Sequence, residues 1–272
     1  MIITADSGTL GQGYVDISCA TINTNGGNLV IKGNTSSVSQ TAVTLDSATL
    51  TTGSGDVNIT GYTNSGSGIL GSLLTLTTSG NATLYGSSNA GNGIYITSAA
   101  NFVNSGNGFL NVTGVTSSTN QQGINVLGNL NIVNNGTSGS VLVVGSADGG
   151  YGIAVQSAGN LNVTTSSSGS TSVLGSTNTG SGVYVSSSNT NLVNSGMGTI
   201  NMTGIVAQSA GGVGINMAGD LNIVNNGSGQ ALISGQALAS TSGGIQVRSL
   251  NIDSTSGTVN VTGHALRVGL AI

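Results

Sequence analysis

The side chains of this sequence that can exchange protons are few and stand far apart. The 272 residues hold three Lys or Arg residues, one His and seven acids, all of them Asp. Asp16 and Asp46 occupy related strand positions, and we expect them within ~5–8 Å of each other as a solvated surface pair. A polysaccharide-cleaving site would need them grouped with Asp56 in one groove. His264 has no acid or nucleophile to work with, so the sequence predicts no catalytic residues and no enzyme.

Motifs for cofactors and metals are equally weak. Residues 66–71 read Gly-Ser-Gly-Ile-Leu-Gly, which matches a dinucleotide-binding pattern, but neither a helix nor an acid follows at the required place. Asp148-Gly149-Gly150 stands alone, whereas calcium-binding nonapeptides recur. Cys19 is the only cysteine, which excludes an internal disulfide, and no His or Cys cluster is present to hold a metal. The sequence therefore predicts no cofactor and no metal site.

A five-residue cassette organises the chain: apolar, any, apolar, any, glycine. Its clearest copy is Leu-Asn-Val-Thr-Gly at 110–114. The nine cassette glycines are Gly33, Gly61, Gly86, Gly114, Gly145, Gly175, Gly204, Gly235 and Gly263. Their spacings run from 25 to 31 residues, and a period of this length indicates a solenoid, propeller or array. We interpret the nine as structural turn glycines.

Two further apolar-any-apolar triplets precede most cassettes, as in Ile124–Val126 and Leu130–Ile132. The third coil is less regular and opens near Ile69. Alternation places one residue of each strand inside and the next outside. A helix is excluded because no 3.6-residue apolar period occurs and glycines interrupt every segment. The pattern predicts an all-β, right-handed parallel β-helix with three strands per coil. About nine coils of about 29 residues would form a rod of roughly 43 Å.

One corner of the predicted coil carries asparagine. The sequence Val-Asn-Ser-Gly or Val-Asn-Asn-Gly occurs in four coils. The four corner asparagines are Asn104, Asn134, Asn194 and Asn225. Asn tolerates the left-handed backbone of a tight corner, and stacked amides can hydrogen-bond along the rod axis. We predict a structural role for these four side chains.

The charged residues fit this register. Those predicted to point outward beside inward aliphatic residues are Asp16, Lys32, Asp46, Asp56, Asp220, Arg248 and Asp253. Asp6 and Asp148 are predicted in turn-like segments. No ionisable residue is assigned to the core, as the free energy of burying a charge requires.

Composition separates this chain from ordinary soluble proteins and from disordered ones. Charged residues make up 4%, with 47 glycines and no proline, against ~25% charged residues in typical proteins. The 37% hydrophobic content opposes disorder, because disordered segments lack apolar surface to bury. A net charge of −4 with three cations leaves no basic face for nucleic acid. No stretch approaches the ~18 apolar residues of a membrane span.

Threonine and asparagine also recur on the predicted outer face. Thr60, Thr113, Thr203 and Thr262 share one outer position. Other residue types interrupt that position in the remaining coils, so a flat ice-binding threonine array is only a minor hypothesis. Asn-x-Thr sequons begin at Asn58, Asn111, Asn162, Asn201 and Asn260. We expect these to reflect the abundance of both residues in strands rather than glycosylation.

We predict a single solenoid domain over 1–272. Residues 1–14 form an irregular start or partial coil, 15–263 the regular coils, and 264–272 a partial last coil. The N-terminus lacks the charged start and apolar run of a signal peptide. Both ends lack a polar cap, so we expect neighbouring coils of a longer parent chain, or identical chains end to end, to cover them.

The repeats resemble a known family. Asn129-Leu130-Asn131-Ile132 and Asn160-Leu161-Asn162-Val163, with Ser/Thr/Gly/Asn turns and almost no Pro or Cys, resemble filamentous-haemagglutinin-like adhesins. These are large exoproteins of Gram-negative bacteria, secreted by two-partner or autotransporter routes. The resemblance covers nearly the whole chain. The amino-terminal secretion domain of that family is not recognisable in this sequence. It implies an extracellular location on the bacterial surface.

Function is predicted as a class. Residues 94–145 resemble 183–235, and such duplication of a block of coils favours length or display over one active site. The principal prediction is a structural, adhesive rod segment of a secreted surface fibre, with a host or environmental glycan or protein as partner. The alternative is a self-assembling extracellular filament or sheath subunit. The third is a polysaccharide-binding or polysaccharide-degrading β-helix.

Overall fold

The computed structural model describes residues 1–6, 12–186, 189–208, 211–238 and 243–265. These residues form 25 strands, numbered β1 to β25 along the chain, and no helix. The strands build two long sheets in which neighbouring strands come from successive coils and run parallel. The prediction of an all-β solenoid with about nine coils of about 29 residues is confirmed. Its right-handed winding stays a prediction.

Sheet A contains the cassettes. Its parallel strands are β1 (Ile2–Asp6), β5 (Leu29–Thr35), β8 (Val57–Thr63), β10 (Ala82–Ser88), β12 (Phe109–Thr116), β15 (Ser140–Ala147), β18 (Ser170–Thr177), β21 (Thr199–Val206), β23 (Gln230–Ala237) and β25 (Thr258–Ala265). The two-residue strand β2 (Gln12–Gly13) joins β5 in antiparallel pairing. Buried and solvent-facing side chains alternate along most of these strands, so one face of sheet A lies on the core.

Sheet B contains two strand columns, which correspond to the two apolar triplets. The first column is β3 (Val15–Ser18), β6 (Val43–Asp46), β13 (Ile124–Val126), β16 (Ile153–Val155) and β19 (Val183–Val185). The second is β4 (Thr21–Asn23), β7 (Ala48–Thr51), β14 (Leu130–Asn134), β17 (Leu161–Thr165) and β20 (Thr190–Asn194). In four coils one bent strand runs through both columns: β9 (Ile69–Thr78), β11 (Ile94–Asn104), β22 (Ile215–Asn225) and β24 (Ile245–Ser254). The irregular third coil thus has one continuous strand, β9, in sheet B, where two were expected.

The cassette glycines lie in one line along sheet A. The pairing registers place Gly33 beside Gly61, and the alignment continues coil by coil to Gly235 beside Gly263. Ala5 of β1 occupies the same line next to Gly33. Residues 1–14, predicted as an irregular start, therefore contain a strand that pairs in register with β5.

These glycines are not turn residues, which corrects the interpretation from the sequence. Each lies inside its sheet A strand, two residues before the strand ends. A Cβ added to Gly145 would stand 2.0 Å from the carbonyl oxygen of Gly152, and one on Gly175 would stand 1.9 Å from that of Gly182. The second glycine of each pair immediately precedes the next strand of sheet B. Glycine is required here because two backbones touch inside the coil.

Aliphatic side chains of successive coils stack into one dry column. Leu29, Val57, Ala82 and Leu110 are neighbours in the register of sheet A, and all are buried. Phe102 on β11 is the largest fully buried side chain among the described residues. The inward Thr and Ser residues after the glycines are also buried; for example, Thr116 donates through Oγ1 to the Gly91 carbonyl oxygen at 2.6 Å. The core is therefore apolar in the middle and hydrogen-bonded at one edge.

Thr190 is a polar residue in a column of this core that otherwise holds leucine in the neighbouring coils. It stacks between Leu161 and Leu221, is fully buried, and its hydroxyl oxygen has no hydrogen-bond partner among the residues that the structure describes. Thr190→Val keeps the shape and removes the unsatisfied hydroxyl, so we expect the free energy of unfolding to rise by about 1 kcal/mol in urea titrations. The matched control is Thr171→Val, because the equally buried Thr171 hydroxyl pairs with that of Thr165 at 2.7 Å. That variant should lose about 1 kcal/mol; equal responses would contradict the explanation.

Most charged residues lie where the sequence places them. Asp16, Lys32, Asp56, Arg248 and Asp253 are exposed on their strands or strand ends, and Asp148 lies in an exposed bend. Asp46 and Asp220 are half-buried at the surface. Asp6 differs from the prediction, because it ends strand β1 and pairs with Asn34 rather than lying in a turn. Of the predicted partial last coil, 264–265 close β25, and 266–272 lie outside the described residues.

Candidate functional site

The three carboxylates that a polysaccharide-cleaving site would need, Asp16, Asp46 and Asp56, are not gathered in one groove. Asp16 pairs with Thr44 and Asp46 with Ser18, so the two acids lie diagonally on β3 and β6. The Ser18 hydroxyl donates to Asp16 Oδ1 at 2.7 Å. Asp46 lines a shallow groove of about 270 Å³ in which it is the sole carboxylate. Asp56 precedes β8 on the other sheet. Within the described part of the chain, no three His, Cys, Asp or Glu side chains come close enough to share a metal ion.

Asp56 has a structural task instead. Its backbone N–H donates to Asn28 Oδ1 at 2.9 Å, and its own Oδ1 accepts the backbone N–H of Asn81 at 3.2 Å. Asn81 Oδ1 in turn accepts the N–H of Phe109 at 3.2 Å. Asp56 therefore takes the place of an asparagine in a column with Asn28 and Asn81. In this column each side-chain oxygen accepts a backbone N–H of the next coil, just ahead of sheet A.

Asp220 forms an ion pair that lowers its pKa. Arg248 in the next coil donates from Nε to Asp220 Oδ1 at 2.9 Å, and this hydrogen bond lowers the pKa of the carboxyl below its usual value. The Arg248 side chain is 66% exposed, so solvent screens the pair and its contribution to stability is small. The pair is a surface link between two coils.

Replacement of the guanidinium tests this link. In Arg248→Gln we expect the pKa of Asp220 to rise towards that of an ordinary aspartate, followed by carboxyl carbon chemical shifts during an NMR pH titration. Because the folded-state pKa is depressed, the pair stabilises the protein above the unfolded-state pKa, and this is lost as the pH falls through the folded-state pKa. An unchanged Asp220 titration in the variant would contradict the assignment.

The remaining reactive side chains stand singly on the surface. His264 lies on β25 beside Gln236 and is exposed. Cys19 is an exposed free thiol at a positive φ of 52°. Residues 66–71 run from a bend into strand β9, not into a helix, so the dinucleotide pattern has no phosphate-binding helix terminus.

The corner asparagines are fully buried and tie the corner to the rod. Asn134 donates through Nδ2 to the carbonyl oxygens of Gly139 at 3.1 Å and Ser170 at 2.9 Å, and its Oδ1 accepts the Gly136 N–H at 3.3 Å. Asn104, Asn194 and Asn225 also donate to a backbone carbonyl a few residues ahead. An amide-to-amide contact along the axis joins only Asn104 and Asn134, at 3.4 Å, among the described corner residues. The stacking expected of these amides is replaced by side-chain bonds to the corner backbone, and Thr165 occupies the coil between Asn134 and Asn194.

A different asparagine column, which the sequence reading overlooked, forms a continuous amide ladder on the outer face of sheet B. Its six members are Asn101, Asn131, Asn162, Asn191, Asn222 and Asn251. Each Nδ2 from Asn131 onwards donates to Oδ1 of the preceding coil, at 2.7 to 2.9 Å. Asn101 continues the ladder to the Thr75 hydroxyl at 3.2 Å. Asparagine at the middle, outward position of six successive second triplets was the available signal.

Two tyrosines make a second regular feature of the outer surface. The rings of Tyr151 and Tyr184 stack with centroids 4.2 Å apart and planes 17° apart. Burial raises the pKa of the Tyr151 phenol, and the neighbouring Tyr184 raises it further. An open groove of about 290 Å³ beside Tyr151 is lined by glycine, Thr119, Asn120 and Gln122. The arrangement is polar, uncharged and shallow.

Neither family models, curated proteins nor solved structures give a match to this chain. Among the residues that the structure describes, none belongs to a helix with the length and apolar character to cross a membrane. The fold and the arrangement of surface groups are therefore the basis for a functional proposal.

Proposed function

We propose that this chain is a structural, adhesive rod segment of a secreted bacterial cell-surface fibre. The observation that carries the proposal is the outer surface of a repeating solenoid, which has few charges and carries an asparagine ladder over six successive coils. A fibre segment needs length, stiffness and a display surface, and a solenoid supplies all three by adding coils. The proposed location is extracellular, on the bacterial surface.

The placement of the ionisable groups supports a display role over catalysis. Asp16 and Asp46 are diagonal surface neighbours, and Asp56 links backbone groups on another sheet. Catalytic carboxylates act in pairs across a substrate, and perturbed pKa values mark such sites. The pKa of Asp220 is lowered, and its hydrogen bond with Arg248, rather than a second carboxylate, accounts for the shift.

Immunogold electron microscopy of the source cells, with antibodies raised against this chain, tests the proposed location. We expect gold along filaments that project from the cell surface. Label confined to the cytosol would overturn the proposal.

A bead-attachment assay tests adhesion. Beads coated with the folded chain should attach to host cells, bacterial cells or polysaccharide films more than beads coated with heat-unfolded chain. Equal attachment would reject the adhesive part and leave the structural part standing.

A self-assembling filament subunit is the second candidate, and the open end of the described coils bears on both candidates. In the last described coil, Leu250 and Ile252 are 44% and 50% exposed, although their equivalents Leu221 and Ile223 are buried. A further coil, from the same chain or another copy, would bury them. Electron microscopy of the purified chain separates the candidates: long fibrils of uniform width indicate an end-to-end subunit, and short rods indicate a segment.

A further inference from the structure

The outer face of the second strand column of sheet B is a strip with a regular side-chain pattern. We call it the amide strip. It consists of Asn101, Asn131, Asn162, Asn191 and Asn222 in one column and Val103, Val133, Thr164, Val193 and Val224 in the next. All ten side chains are half-buried, flanked by neighbouring coils and open to solvent outwards. The strip therefore presents one amide and one β-branched residue per coil.

The amides of the strip retain unused hydrogen-bonding capacity. A primary amide has two N–H donors and an oxygen with two lone pairs. Inside the ladder each asparagine uses one N–H towards the preceding coil and one oxygen lone pair towards the next. One donor and one acceptor per coil remain for a partner, at the ~4.8 Å interval of parallel strands.

The strip carries no charge over these five coils. Every one of its side chains is Asn, Val or Thr, although the chain as a whole has a net charge of −4. Charges begin at its far end, where Asp220 and Arg248 form their ion pair and Asp253 takes the valine position of the next coil. Low net charge favours the packing of paired sheets, so the uncharged coils are the part free to associate.

We propose that the amide strip docks face to face against the amide strip of a second copy of this chain. Stacked amides beside β-branched residues, with low charge and no proline, are the composition of dry interfaces between paired sheets. In a second copy the coils repeat at the same ~4.8 Å interval along the axis. The amide and the β-branched residue of each coil therefore meet the equivalent pair of the other copy along the whole strip. An extended peptide laid along the axis would not match, because its side chains on one face repeat every ~6.6 Å. The inference concerns this chain alone and holds whether or not the chain is adhesive.

The area of the strip sets the expected strength of the pairing between two chains. Five coils of five-residue strands cover roughly 24 by 17 Å, or about 400 Å² per partner. Stable complexes bury about 800 Å² per partner, and weak ones less. Pairing of single chains should therefore be weak and should strengthen with every further coil, since the strip lengthens with the rod.

Sedimentation velocity tests the proposal with a matched pair of variants. Asn131→Asp with Asn191→Asp removes two amide donors and adds like charges to both facing strips. Asn111→Asp with Asn201→Asp adds the same charge to the outer face of sheet A. We expect wild type and the sheet A variant to dimerise between about 10 μM and 1 mM, the range of a small interface, and the strip variant to associate at least tenfold more weakly. Circular dichroism confirms that all three are folded.

Three outcomes overturn the proposal. These are a monomeric wild type at about 1 mM, equal association of the strip variant, and dimers that double in length rather than in cross-section by small-angle X-ray scattering.

A site-specific readout is oxidation in a Cys19→Ser background. Thr164→Cys, at the middle coil of the strip, should form disulfide-linked dimers, and Thr113→Cys on sheet A should not. A monomeric wild type that binds neutral polysaccharide through the strip, lost in the strip variant, would assign the strip to a glycan instead.

Discussion

Gly145→Ala is expected to lower the free energy of unfolding by about 3 kcal/mol or more, the upper range for overpacking a filled site. The added methyl carbon would stand 2.0 Å from the carbonyl oxygen of Gly152 and 2.6 Å from Cγ1 of Ile153. The carbonyl cannot move freely, because it accepts the Ile124 N–H of the neighbouring coil at 3.0 Å. Urea unfolding followed by circular dichroism measures the loss.

A glycine of the same column supplies the control. At Gly263 the nearest atom to an added methyl carbon, the Ile245 nitrogen, lies 3.3 Å away. Gly263→Ala removes the same backbone freedom from the unfolded chain, but a shift of a few tenths of an ångström accommodates it. We expect a change within about 1 kcal/mol. If both substitutions have the same effect, close backbone contact is not the reason for glycine in this column.

The sequence contained the signal for this contact, although the period alone did not reveal it. In four coils a second glycine follows seven residues later, as in Gly61 with Gly68 and Gly145 with Gly152. Longer turns widen the interval, as in Gly204 with Gly214. Two glycines that recur together indicate two backbones in contact, whereas a single recurring glycine is also typical of a turn. The interpretation as turn glycines considered each one alone.

The fold was predictable because its cause is local and repeated. Inward aliphatic residues at every second position define the strands, and their recurrence in each coil defines the stacking. Which outer residues meet was harder to predict, because it depends on register between coils. Asp16 and Asp46 both follow an apolar residue, yet they differ by two positions in the pairing. The amide ladder depends on the same register and became apparent once Asn131 was aligned with Asn101 and Asn162.

The fused strands show a further limit of pattern reading. The sequence predicts three separate strands in each coil, but β11 and β22 pass from the first to the second column of sheet B without interruption. A register shift between Ile96 and Ala99, and another between Met217 and Asp220, absorbs the bend. A bulge of this kind disrupts the backbone pairing only locally and lets the strand continue, so alternation of residue types does not distinguish it from a break.

Asn134→Ala is the second substitution for which we expect a large effect, a loss of about 3 kcal/mol from the free energy of unfolding. The Asn134 side chain is fully buried and satisfies the carbonyl oxygens of Gly139 and Ser170 and the N–H of Gly136. Alanine leaves these groups without their partner and opens a cavity at the corner. The adjacent Asn135 is exposed, so Asn135→Ala should change stability by less than about 0.5 kcal/mol. Thermal and urea unfolding compare the two.

Two more substitutions at position 134 separate hydrogen bonding from shape. Thr165 fills the equivalent corner of the next coil, so Asn134→Thr should recover about half of the loss. In Asn134→Asp a carboxylate oxygen would face two carbonyl oxygens in a buried site, which raises the folded-state pKa of that carboxyl. The variant should then be most stable below the unfolded-state pKa of about 3.9, where the protonated carboxyl donates one hydrogen bond in place of the amide's two, and should lose stability as the pH rises above it. A variant equally stable at pH 3 and pH 7 would show that the corner is open to water, and the side-chain bonds assigned to Asn134 would not hold the coil together.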